Sequence, residues 1–300
     1  MRRSTLSKRP TDHVVSQTAD TVVVLGEFDG VHRDHVALVE AALQHAEPLS
    51  AAVVAVVVDR GEGVERIMSV SRRCELLLSC GVSSAFVAPL PRPVDVEDTL
   101  APALEVMRPV AVFLDPESWP SQPRNALSEY FLRIGAAIRD GVAGSDQTLG
   151  PIDTAMIIER IHHGDVDAAG KMLGRPYELS GTIAAHDAVA PPTGFQTEQV
   201  TPPPDIVLPA SGVYAARTLI GRRWVGAAVN IGSRPTFGSS NRVVVESHLI
   251  DFGGNLKDTE MSLRFVRRLR NELWFPGPDE LAAQIERDVV AVTALLRSKA

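Results

Sequence analysis

The chain has 300 residues, 45% of them apolar, and a formal charge of −7. That length accommodates about two domains, and the excess of acid argues against a broad nucleic-acid-binding surface while leaving room for a local basic pocket. Its two cysteines, Cys74 and Cys80, are too few for a disulfide framework and read as reduced, part-buried thiols. The opening stretch "MRRSTLSKRPTDHVVSQTAD" is basic but has no apolar core of a secretory signal. No run of about 18 apolar residues reads as a membrane span. A cytoplasmic protein with neither nucleic-acid nor membrane partner is expected, with residues 1–19 as a flexible tail.

Four short, β-branched runs follow: "TVVVLG" (21–26), "AAVVAVVVD" (51–59), "SSAFVAPL" (83–90) and "VAVFLD" (110–115). They are apolar almost throughout, as strands covered on both faces are. Helical stretches separate them; in "HVALVEAALQHA", Val36, Val39 and Leu43 recur at helical spacing. The alternation predicts βαβ units and an α/β fold over residues 20–173, a doubly wound parallel sheet with ligands at the carboxyl ends of its strands. Beyond it, "DPESWPSQPRN" reads as loop and "ALSEYFLRIGAAIRDG" as a helix followed by a turn. "DTAMIIERIHHGDVDAAGKMLG" reads as two short helices broken near Gly164, with Asp165 capping the second.

The character changes near Gly174. "RPYELSGTIAAHDAV" is strand-like, and "APPTGFQTEQVTPPPDIVLPAS" carries six prolines. "GVYAARTLI", "RRWVGAAVNIG" and "RVVVESHLIDF" are short strands with turn signals beside them. Residues 174–300 are therefore expected to form a small β-barrel, followed by an amphipathic C-terminal helix with Leu281, Ile285, Val289 and Val292 on its apolar face.

Two constellations carry chemistry. "GEFDGVHRDH" (26–35) occupies the first strand-to-helix turn, where a helix N-terminus presents free amides to phosphate. His32 and His35 there can donate to phosphate oxygens and stabilise charge developing during transfer. No P-loop and no GxGxxG accompanies them. A metal would need a third ligand, and spacing indicates none; a surface pair without chemical role is the bland alternative.

The stretch resembles the "GxFDGxHxGH" motif of the bacterial bifunctional riboflavin kinase/FMN adenylyltransferase family. The resemblance implies a nucleotidyltransferase-like N-terminal domain, phosphate-binding roles for His32 and His35, and a nucleotide loop shaped by Gly26, Phe28, Asp29 and Gly30. The second half is similar to the family's riboflavin kinase domain in "LGRPYELSG", "SGVYAARTL", "VNIGSRPTFG", "VVVESHLIDF", "FVRRLRNELWF" and "LAAQIERDV". Glu246 falls at the family's catalytic carboxylate, and a base beside the accepting hydroxyl is what a kinase of an alcohol needs. Asn230, Arg234 and Thr236 become candidates for lining the substrate site, the alternative being a polar turn. "GFPTAN", the family's ATP and Mg²⁺ loop, appears as "GFQTEQ" (194–199). Thr197 and Gln199 are its candidate nucleotide and metal ligands, and Glu198 either adds an oxygen ligand or repels ATP.

The sequence departs from the family at phosphate contacts. The glycine before the second histidine is Asp34, expected to cap its helix; the family's "SSTRIR" falls on "DTAMII" (153–158) without either arginine; and "HDAVAPPTG" (186–194) has lost most of its glycines. The combined expectation is phosphorylation of riboflavin to FMN by ATP with Mg²⁺, with adenylyl transfer to FAD weak or lost. The alternatives are a divergent transferase on another nucleotide or flavin-like substrate, and a non-catalytic flavin- or nucleotide-binding paralogue.

Overall fold

The structure, a computed structural model, describes residues 20–90, 96–119, 121–140, 150–183, 195, 197–234 and 242–298. The chain divides into two compact units between Met156 and Ile157.

The N-terminal unit is a parallel sheet of five strands in the order β3-β2-β1-β4-β5. Its strands are β1 (Thr21–Gly26), β2 (Ala52–Asp59), β3 (Ser84–Pro89), β4 (Pro109–Leu114) and β5 (Ala137–Asp140), and every pairing is parallel. All six residues of β1 are buried, as a strand sandwiched between two helix layers requires. Around it run α1 (Arg33–Ala46), α2 (Val70–Ser79), α3 (Val96–Met107) and α4 (Ser121–Arg133). Helix α1 buries Leu38, Val39 and Ala42. Val23, Leu25, Val112, Leu114, Leu104 and Phe131 fill the core beneath α3 and α4.

Two expectations for residues 116–150 change. "SQPRN" opens α4 rather than continuing a loop, its proline falling within the first turn, where the missing N–H is not needed. The turn expected after that helix leads into a fifth strand instead. Gly135, at φ 80°, ends the helical run, and β5 then adds to the sheet along β4. Four residues, "AIRD", are too few to show a strand period in sequence.

The chain passes from β1 outward to β3, then returns to lay β4 on the other side of β1. The carboxyl ends of β1 and β4 thus flank the point where the winding reverses, the crevice in which open α/β sheets bind ligands.

α5 (Thr154–His162) spans the division between the units, and α6 (Val166–Leu173) follows. Asp165 caps α6, its Oδ1 accepting from the Ala168 N–H at 3.1 Å. Sequence reading divides the domains at 173/174; α6 packs on β11 (Glu260–Arg270) of the second unit, so by packing the division falls earlier.

The second unit is a closed barrel in the order β10-β7-β6-β11-β8-β9. Its remaining strands are β6 (Glu178–Ile183), β7 (Glu198–Thr201), β8 (Gly212–Ile220), β9 (Arg223–Arg234) and β10 (Arg242–Leu249). β7 hides within the proline-rich stretch, and β11 within a run rich in arginine. Both are recruited by their antiparallel partners, a tertiary effect that local composition does not carry. The C-terminal helix α7 (Pro278–Ser298) lays Val292 and Leu296 on Ala215 and Ala228. Those two alanines are cross-strand partners, and their small side chains let the helix sit close. The helix is also pinned by Arg270, which donates to both carboxylate oxygens of the buried Asp288.

Candidate functional site

In the N-terminal unit the "GEFDGVHRDH" turn leaves β1, and "DPESW" leaves β4. Gly26 makes their approach possible: a Cβ there would collide with that of Asp115 and lie 2.8 Å from its Oδ2. Phe28, at φ 53°, and Gly30, at φ 80°, fold the chain back on itself. The buried Phe28 ring meets that of His35 edge-on at 5.3 Å. Asp29 is committed to the scaffold. Its carboxylate accepts from the Ile67 N–H (2.8 Å) and the Met68 N–H (3.3 Å) and pairs with Arg73 at 2.9 Å.

His32 and His35 are 0% and 2% exposed, so they are not a surface pair. Their rings stack with centroids 3.6 Å apart and 23° between planes. His35 Nε2 faces Asp115 Oδ2 at 3.5 Å, and His32 Nε2 faces Glu117 Oε1 at 3.0 Å. All four ring nitrogens are buried without a hydrogen-bond partner among the described residues, so the two carboxylates stand close to the rings without hydrogen-bond geometry. Asp115 also caps its own turn, accepting from the Ser118 hydroxyl and the Glu117 N–H. Ser118 Oγ in turn accepts from the Glu27 N–H at 2.7 Å. Arg60, at the end of β2, clamps the assembly: it donates to Glu27 Oε1 (2.7 Å) and the Ser118 carbonyl (3.0 Å) and lies over the Trp119 ring.

The "DTAMII" segment reaches this site as the start of α5. The Thr154 N–H donates to Glu117 Oε2 at 2.8 Å, and the Thr154 hydroxyl lies 3.4 Å from the Asp29 carbonyl. Asp34 ties the same segment down, its Oδ2 accepting from the Ile152 N–H at 3.1 Å. The capping position of α1 belongs to His32, not Asp34. Asp34 stands in the first turn, where a carboxylate favours the helix dipole, and its carboxylate anchors the chain entering α5.

Burial lowers the His32 pKa below its usual 6.5, and the neighbouring His35 pushes in the same direction; Glu117 opposes both. Burial alone would raise Asp115, but His35, the Ser118 hydroxyl and the Glu117 N–H outweigh it and hold the carboxyl below its usual range. The buried cluster thus keeps an ionised Asp115 beside imidazoles of which His32 resists protonation. The third group that spacing does not indicate is Glu117: one ligand atom each from His32, His35 and Glu117 lie within 4.8 Å of one another. Near-parallel rings 3.6 Å apart do not converge two nitrogens on a metal at about 2.0 Å, so this packing does not suit a metal.

In the barrel unit, Gln199, Glu246 and Asn230 form one rung across β7, β10 and β9. Directly opposed residues of antiparallel strands share a face, with Cβ atoms about 5 Å apart. The rung therefore sets a carboxylate between two amides, all three half-buried. Phe195 brings the "GFQTEQ" loop to the same strand, its ring edge-on to His248 at 5.2 Å. Glu198 belongs to the adjacent rung with the fully buried Ser247. It lies on the buried face of β7, the face opposite to that shared by Gln199 and Glu246. Glu272 supplies an acid that sequence reading misses. Its Oε1 lies where a Cβ on Gly232 would project, a position 3.4 Å from Asn230 Nδ2. A glycine inside a strand is a signal of such close approach.

Thr197 immediately precedes β7. Arg234 ends β9 opposite Arg242. Thr236, Gly194, Gln196 and residues 186–193 lie outside the described residues. Asp115, Glu117 and Arg60 were legible only as acids and a base at the carboxyl ends of strands, a signal that gains meaning once the strand order is known.

Residues 173–296 match the riboflavin kinase family and residues 14–92 the FAD synthetase family. The bifunctional riboflavin kinase/FMN adenylyltransferase of Bacillus subtilis is 24% identical over 93% of each chain. That of Listeria monocytogenes is 27% identical over 89% of this chain and 90% of its own. A solved structure titled macrolide-efflux protein from Streptococcus pneumoniae aligns with a TM-score of 0.79 and 22% identity over 93% of this chain and 96% of that one, which speaks to fold alone. Two family matches in the same order as the sheet and the barrel, and relatives aligned along nearly the whole chain, make this protein a divergent member of the bacterial bifunctional riboflavin kinase/FMN adenylyltransferase family.

Proposed function

We propose that the barrel unit phosphorylates riboflavin to FMN with ATP, and that adenylyl transfer from ATP to FMN in the sheet unit is weak or lost. The Gln199–Glu246–Asn230 rung carries the first part. A carboxylate held between two amides is equipped to accept the proton of a substrate hydroxyl as it attacks phosphorus, with Asn230 on the substrate side and Arg234 and Thr236 as the further substrate-binding residues that the family resemblance implies. The Thr197 hydroxyl, the Gln199 amide oxygen and a neighbouring carboxylate are hard oxygen donors of the kind Mg²⁺ takes alongside nucleotide phosphates. When bound, that ion would neutralise phosphate charge. The second part is supported by acids where phosphate contacts belong: Glu117 at His32, Asp34 in the first turn of α1, and no arginine in residues 153–158. A cytoplasmic setting fits, since no helix among the described residues is long and apolar enough to cross a membrane.

The test is turnover of riboflavin, and separately of FMN, with ATP and Mg²⁺, resolved by chromatography. The reading expects FMN from riboflavin, little or no FAD from FMN, and loss of at least a hundredfold in FMN formation for Glu246→Gln. Absence of FMN, or an unimpaired Glu246→Gln variant, would refute the kinase assignment.

A further inference from the structure

The sheet unit already holds an anion of its own at the histidine pair. One Glu117 oxygen lies 3.0 Å from His32 Nε2, and the other accepts the Thr154 N–H, at the N-terminus of α5, at 2.8 Å. A buried imidazole and a helix N-terminal amide are the donors a phosphate group takes. His32 is fully buried, and neither of its ring nitrogens makes a hydrogen bond among the described residues, so Glu117 meets that ring as a charge at close approach, 3.0 Å from Nε2.

We propose that Glu117 is an internal competitor for this phosphate seat, a specificity-determining carboxylate that a polyphosphate must displace before it can contact His32. The inference rests on the reading of the sheet unit as a nucleotide-phosphate site and gives a physical cause for its weakness. The backbone of Glu117 is fixed, since its N–H donates to Asp115 Oδ1 at 3.3 Å. Its side chain is 25% exposed, so the carboxylate can swing to solvent without unfolding the turn. A phosphate would take the place that Glu117 gives up beside His32 and the Thr154 N–H, and it also meets the like charge of Asp115, 3.5 Å from His35. Removing the Glu117 charge frees the Thr154 N–H, opens the Nε2 edge of His32 and takes away one repulsion. A charge-assisted donor is among the stronger ones, and tenfold in affinity is about 1.4 kcal/mol. A gain of about tenfold in polyphosphate affinity is therefore expected.

The experiment titrates inorganic tripolyphosphate into the full chain by calorimetry, for wild type, Glu117→Gln, Glu117→Ala, and each of these combined with His32→Asn. Thermal unfolding verifies that each variant is folded, and the isosteric glutamine covers failure of the alanine. The His32→Asn background separates this seat from any polyphosphate site in the barrel. A gain of threefold or more in either Glu117 variant, erased by His32→Asn, supports the proposal. A smaller gain, a loss of affinity, or a gain that survives His32→Asn overturns it. The adenylyl-transfer reading fails by a different result, efficient FAD formation by the wild-type protein, whatever tripolyphosphate does.

Discussion

Asp29 provides the sharpest test of how the histidine turn is held. It sits in the middle of "GEFDGVHRDH", yet its carboxylate binds two backbone amides and the Arg73 guanidinium rather than facing outward. The Asp29 and Arg73 side chains are 7% and 5% exposed, so water does little to screen the pair. Asp29→Asn keeps the shape and one acceptor but leaves a buried cation with a neutral partner. Removing one member of a buried pair costs about 3–5 kcal/mol; Arg73 keeps its bonds to the Glu27 and Met68 carbonyls, so the lower end applies. At about 1.4 kcal/mol per decade, amides that exchange through unfolding of the sheet unit should exchange roughly a hundredfold faster. Hydrogen exchange followed by mass spectrometry reads this on peptides from β1 and β4, with β8 and β9 of the barrel as internal controls. Arg73→Met should cost less, because Asp29 would retain its amide donors, and the double variant should fall short of the sum by at least about 1 kcal/mol. Acceleration below tenfold for Asp29→Asn, or strict additivity, would show that the pair does not hold the turn.

Two further outcomes follow from the same geometry. Gly26→Ala forces a Cβ into Asp115; the overpacking should cost about 1–3 kcal/mol and lower the unfolding temperature, measured by calorimetry. The folded-state pKa of His32 lies below its usual 6.5, so the unfolded chain binds the proton first as pH falls. Stability from this residue is complete above that value and is lost as pH drops from 6.5 towards the lower folded pKa. His32→Asn should flatten that part of the stability–pH profile relative to wild type, and an unchanged profile would contradict a neutral, buried His32.

The sequence alone fixes what depends on local pattern. β-branched runs at 21–26, 51–59, 83–90 and 110–115 become β1 to β4 almost to the residue; β1, β2 and β4, the three inner strands, are buried nearly throughout, because a strand covered on both faces has no choice but to be apolar along its length, whereas β3 lies at the sheet edge and is mostly part-exposed. Asp165 caps its helix as read, since an N-cap is a contact of three residues' span. The blocks that resemble the family fall on the barrel strands, on α7 and on the first strand-to-helix turn for the same reason: each is local and continuous. Tertiary structure decides what depends on partners distant in sequence. β5, β7 and β11 exist because neighbours complete their hydrogen bonds. Glu246 acquires its flanking amides through register across three strands, and the same register turns Glu198 to the barrel's buried side. Glu117, in a turn that reads as mere loop, reaches His32 because β4 lies beside β1 at the reversal of the sheet. The charge at the histidine pair is therefore set by an acid 85 residues away in sequence (117 − 32), a pairing that strand order creates and no local pattern encodes.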